Sequence, residues 1–207
     1  MKKWITFFIS VPLLFSFMIM LAFSDYIGIG LSSPPFGHDH RFHEAMGFGS
    51  HSGIGEEVQG PDDIMLPAGL QLCYGQRYFD KLTGEINLFI FPVGELISPS
   101  QYCILTGGFK FDLRSIDNYI WSPWVSIDFA FHLHNPLIFW VSGYGFGLSP
   151  ALGIDLNVGK RVILCGAYRA HYANLKFYNY GEFNAFSHTF TANLLLRLGK
   201  RGRYTSL

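Results

Sequence analysis

Residues 119–135 read YIWSPWVSIDFAFHLHN, and the odd positions carry Tyr119, Trp121, Pro123, Val125, Ile127, Phe129, Phe131 and Leu133. The even positions carry Ile120, Ser122, Trp124, Ser126, Asp128, Ala130, His132 and His134. Successive side chains of a strand point to opposite faces, so one face is large and apolar while the other holds an acid and two imidazoles. If the apolar face packs on a core, this is half of a sandwich. If it meets lipid, the polar face lines the inside of a barrel.

Composition favours lipid. Charged residues make up 14% of the 207-residue chain and aromatics 17%, where an average soluble domain has about 25% charged residues. Residues 136–154 contain no acidic or basic side chain at all. A water-exposed sandwich would place Lys and Glu on its outer face. The formal net charge of zero supplies no basic footprint for nucleic acid. The 23 glycines recur inside apolar alternating runs, at Gly143, Gly145, Gly147 and Gly153, which suits bent, closed sheets better than helices.

The N-terminus reads as an export signal: MKK as positive n-region, an apolar stretch of about 20 residues, and Ala22-Phe23-Ser24 as a small-residue cleavage site. Cleavage after Ser24 is the expectation; an uncleaved membrane anchor is the alternative, because the stretch is long enough to span a bilayer. Cys73, Cys103 and Cys165 lie far apart in predicted strands without C-x-x-C spacing, and read as buried, inert thiols.

Residues 25–65 hold a short apolar piece, DYIGIGL, followed by a segment rich in Gly, Pro and His with no sustained periodicity. We read it as a short first strand and a loop. Regular alternation starts at 66, with strands expected at 66–75, 84–92, 101–113, 119–133, 136–148, 150–158, 160–173 and 186–199. Eight strands of about ten residues, each with one lipid-suited face, match a small transmembrane barrel. Tyr119, Trp121, Trp124, Trp140, Tyr144, Tyr168 and Tyr172 are expected in its interfacial girdles.

The run GYGFGLSPALGIDLNVGKRVILCGAYRAHY resembles the penultimate hairpins of the small OmpA-like and OmpW-like outer-membrane barrels, and HTFTANLLLRLG resembles their last strand. The resemblance implies an outer-membrane location and contact with the bilayer, with lipopolysaccharide as a candidate partner. The chain departs from the family by ending in GKRGRYTSL instead of on a terminal aromatic.

Three groups could carry chemistry. With the apolar faces outward, Lys110, Asp112, Asp128, His132, Asp155, Arg169, His171 and Arg197 face the lumen. There they form a plugging network of ion pairs and hydrogen bonds, the favoured reading, or else a narrow polar conduit or a proton-sensitive gate using His132 and His171. His171-Tyr172-Ala173-Asn174 resembles the His-x-Ser-Asn segment of outer-membrane lipid A 3-O-deacylases, but Ala173 stands at the nucleophile position. An esterase would have to borrow Ser187 or Thr189 from the neighbouring strand. Histidines 38, 40, 43 and 51, with Asp39, have metal-ligand chemistry, yet a Gly/Pro-rich segment rarely fixes a site and a solvated loop is the favoured reading.

The expectation is an all-β, antiparallel transmembrane barrel of eight strands. Its domains are a signal peptide at 1–24, a short strand and loop segment at 25–65, the barrel at 66–199 and a basic tail at 200–207. Its function is a structural, adhesive or small-solute-related role carried by loops, without enzyme activity, cofactor, catalytic residue or bound metal. An outer-membrane lipid ester hydrolase and an exported soluble β-protein are the alternatives.

Overall fold

A computed structural model describes residues 25–33, 35–37, 69–93, 100–115, 119–134, 143–178 and 181–198. The signal segment 1–24, the histidine segment 38–51, Trp140 and the tail 200–207 lie outside the described residues. The strands are β1 (Tyr26–Ser32), β2 (Phe36–Gly37), β3 (Gly69–Phe79), β4 (Leu82–Val93) and β5 (Ser100–Asp112). After them come β6 (Trp121–His134), β7 (Gly143–Leu148), β8 (Ala151–Asn157), β9 (Val162–Phe177) and β10 (Gly181–Arg197). No helix occurs among the described residues.

Every pairing is antiparallel, and β1 closes the ring by pairing both β3 and β10, with Tyr26 opposite Gly75 and Arg197. The ring runs β1, β3, β4, β5, β6, β7 with β8, β9, β10 and back to β1. Closure satisfies backbone groups between strands and leaves no edge, as a lipid-embedded sheet requires.

The ring has eight staves, but not the eight expected from the sequence. The barrel starts at Tyr26 instead of at 66, because DYIGIGL supplies a full stave. The segments expected as two strands at 136–148 and 150–158 form a single stave. Phe129 faces Leu148 and Ser126 faces Ala151 in one unbroken register along β6, and β9 keeps the same continuity from Tyr172 to Arg169. Only Pro150 interrupts the ladder. Its carbonyl still accepts from the Ala170 amide at 3.0 Å, but a proline has no N–H to return.

Side chains sort by parity. Along β6, Ser122, Trp124, Ser126, Asp128, Ala130, His132 and His134 point inward and are buried, while Val125, Ile127 and Phe129 point outward and are exposed. Phe129 reaches 76% exposure in the middle of its strand. The same outward band continues through Phe109, Phe111, Leu152, Leu156, Leu164, Phe190, Leu194 and Leu196. This is the surface of a protein whose solvent is hydrocarbon. The two residues Asp80 and Lys81 join β3 to β4 at the end where β1 begins and β10 finishes, the turn end. The end where β3 begins and β6 finishes is the loop end.

Candidate functional site

The lumen is filled in layers. Nearest the turn end, Lys110 Nζ lies 2.5 Å from Asp155 Oδ2 and 3.9 Å from Glu85 Oε1. Trp124 Nε1 donates to the other oxygen of Asp155 at 2.8 Å, and the Tyr26 hydroxyl donates to Glu85. The Lys110 ammonium also sits 4.7 Å from the Trp124 ring centre, so the cation meets two carboxylates and an aromatic face. Two glycines make the room. A Cβ on Gly75 would fall 2.1 Å from Tyr26 Cζ, and one on Gly153 would fall 2.4 Å from Trp124 Cζ2.

Midway along the lumen, Arg169 Nη1 pairs with Asp128 Oδ2 and also donates to the Ser149 carbonyl at 3.2 Å. Ser126 Oγ donates to the same Asp128 oxygen at 3.3 Å. One residue pair further on, His171 is held from both sides, with Nδ1 2.9 Å from Ser149 Oγ and Nε2 3.1 Å from Thr189 Oγ1. His132 bonds the Tyr102 hydroxyl through Nδ1 and meets the His171 ring edge to face at 5.9 Å.

Above His132 and His171 the lumen becomes mostly apolar, with the His134 ring 5.5 Å from that of Phe177. Phe89, Phe91, Tyr102, Ile104, Leu175, Phe177 and Phe183 form one buried cluster toward the loop end. Phe89 bridges the two zones, 6.0 Å from the His171 ring and 5.7 Å from the Arg169 guanidinium. The void lined by Gln71, Asn87, Arg169, Thr191 and Asn193 has a volume of about 10 Å³, the size of one water molecule.

Of the residues expected in the lumen, Lys110, Asp128, His132, Asp155, Arg169 and His171 are buried and joined by the contacts above. Asp112 is buried too, but among the described residues it joins neither ion pair. Arg197 lies half-buried at the turn end and donates to Asn157 Oδ1 at 2.8 Å. Trp124 corrects the girdle expectation: it is 3% exposed because its even position in β6 turns it inward. Tyr168 also sits within the wall, hydrogen-bonded to His188, while Tyr119, Trp121, Tyr144 and Tyr172 are exposed on the outside. Tyr26, Glu85, Tyr102 and Ser149 are lumenal partners that sequence reading missed. Inward parity next to outward Gly84 and Ile86 was the available signal for Glu85.

In the deacylase-like segment, His171 and Ala173 point inward while Tyr172 and Asn174 point outward. His171, Ala173, Ser187 and Thr189 are all buried, and the two hydroxyls bonded to the imidazole, those of Ser149 and Thr189, are buried with it, away from any ester outside the barrel. The three cysteines are free and buried.

No protein-family model matches the chain, and no curated protein matches it in sequence. Solved structures do. Neisserial surface protein A aligns with a TM-score of 0.55 at 14% identity, covering 84% of this chain and 96% of that one. The chain has the fold of the small outer-membrane β-barrels. Looser matches to the same kind of barrel are Ail, the attachment invasion locus protein of Yersinia pestis, and the outer membrane protein OprG from Pseudomonas aeruginosa. Their TM-scores are 0.45 and 0.47, at 12% and 9% identity, covering 84% and 86% of this chain and 97% of each partner.

Proposed function

We propose that the protein is an integral, non-conducting barrel of the outer membrane whose biological duty is structural or adhesive and is carried by its loop-side surface. The observation that carries this reading is the filled lumen. Two buried ion pairs, Lys110 with Asp155 and Asp128 with Arg169, span it, and the cluster around Phe89 and Phe177 packs across it toward the loop end. A small-solute conduit would need a continuous polar passage, and an apolar plug in series with buried, paired charges opposes one. What can vary is the loop surface, while the plugged scaffold holds it in place.

Export with removal of residues 1–24, a loop segment between β1 and β3, a basic tail at 200–207 and contact with lipopolysaccharide belong to the same reading. The lumenal burial of His171 supports a role without ester hydrolysis, since no lipid reaches the imidazole. Planar-bilayer recording of the refolded full chain tests the proposal: no unitary conductance is expected, and reproducible single-channel steps would overturn it.

A further inference from the structure

The outer wall carries a feature that a plain lipid-facing band does not need. On β8, β9 and β10, a groove of about 470 Å³ opens outward between Leu152, Ile154, Tyr168 and Phe190. Its floor is Gly166, where an added Cβ would meet nothing within 4 Å, and Ala192 pairs beside it. At its loop-side end the Tyr168 hydroxyl and His188 Nδ1 are hydrogen-bonded, with the two rings stacked at 5.5 Å and Phe186 edge to face with His188 at 4.6 Å.

An imidazole and a phenol inside an apolar band are costly unless they serve something. Both lie below the polar rim. Asn174, Lys176, Glu182 and Asn184 are the outward, exposed residues of this hairpin above it, and His188 is four residues from Asn184, about 13 Å along a strand.

We propose that this groove holds one acyl chain of an ester-linked membrane lipid, with the chain lying over Gly166 and its ester oxygen bonded to the Tyr168–His188 pair. The occupant follows from position: the groove is continuous with the lipid-facing band, its lining is mostly apolar, and the phenol of Tyr168, paired with His188, stands on its side toward the rim, from which a lipid's ester linkage hangs its acyl chains. With the proton on His188 Nδ1, the imidazole donates to the phenol oxygen. The Tyr168 O–H then becomes the donor to the ester carbonyl. This inference rests on the reading of the outer band as a membrane surface.

The test reconstitutes the full chain in liposomes of diester phosphatidylethanolamine and phosphatidylglycerol, checks insertion by flotation, and counts lipids retained on transfer to detergent by native mass spectrometry. One retained lipid per barrel is expected. Gly166→Leu, whose Cβ meets nothing within 4 Å and whose side chain would occupy the groove, and Tyr168→Phe should each lower retention by at least about tenfold. Diether lipids should be retained as poorly by the native chain as diester lipids are by Tyr168→Phe. Flotation with equal retention by the native chain and Gly166→Leu would overturn the groove while leaving the membrane reading intact. So would a second copy cross-linked through Gly166→Cys in place of lipid. Failure to float would overturn both.

Discussion

Lys110 Nζ and Asp155 Oδ2 meet at 2.5 Å across the width of β6, with both side chains almost fully buried at 2% and 3% exposure. The pair ties β5 to β8, strands that are not hydrogen-bonded to each other. Trp124, on the strand between them, contacts both partners.

Breaking that pair from one side should be worse than removing it. Asp155→Ala takes away the closest carboxylate of a buried ammonium, and a loss of about 3–5 kcal/mol is expected. The triple change Lys110→Met, Asp155→Leu and Glu85→Gln removes all the charges of this cluster and should cost much less than Asp155→Ala alone. Urea unfolding from liposomes, followed by tryptophan fluorescence, separates the two. Equal, negligible effects would mean that water, not the pair, satisfies the lumen.

His171 gives a different signature. Its ring joins Ser149 to Thr189, so His171→Ala takes that partner from Thr189 and leaves Ser149 Oγ with the longer contact from Arg169 at 3.4 Å, at a cost of about 1–3 kcal/mol. Stability should fall, and hydrolysis of lipid A or phospholipid esters should be absent before and after the change. Ester cleavage by the native chain that His171→Ala abolishes would overturn the non-enzymatic reading.

Side-chain direction can be read by labelling. In a background with Cys73, Cys103 and Cys165 replaced by Ser, a single cysteine at Phe129 or Leu194 should react with a lipid-phase reagent. One at Ser126 or Asn193 should not, since those side chains are buried in the lumen. The opposite pattern would require a one-residue slip of register.

How far the sequence discloses this structure depends on what each strand puts inside. Strands 119–133 and 186–199 are legible because their inward faces are mostly polar, so polarity itself alternates, and 160–173 shows it only through the inward Arg169 and His171, since Ile163, Cys165 and Ala167 share that face. β4 is not, because the inward Phe89 and Phe91 alternate with the outward Leu88 and Ile90, and the plug hides the period. β1 is too short to show one. Pro150 reads as a turn, although the staves on either side of it share one register. Trp124 reads as a girdle residue when judged by type, and as a lumenal residue when judged by parity. Ser149, beside that proline, has no local signal that it meets His171; only the folded pairing of β7–β8 with β9 brings them together.

The plug and the outer wall should also respond differently to truncation. Phe89 is fully buried in the apolar cap, so Phe89→Ala should leave a cavity and cost about 3–5 kcal/mol. The same truncation at Phe129 should cost far less, because acyl chains can close around a smaller side chain. Unfolding from liposomes ranks the two variants, and similar losses at both sites would mean that Phe129 is packed against protein.

The comparison of Phe129→Arg with Phe129→Ala tests the central claim most directly, because it asks what surrounds the most exposed phenylalanine of the opening stretch. Refolding into liposomes should show the arginine variant destabilised by about 2–4 kcal/mol and the alanine variant changed by much less. Equal and severe losses from both would place Phe129 in a protein core and contradict the lipid-embedded barrel.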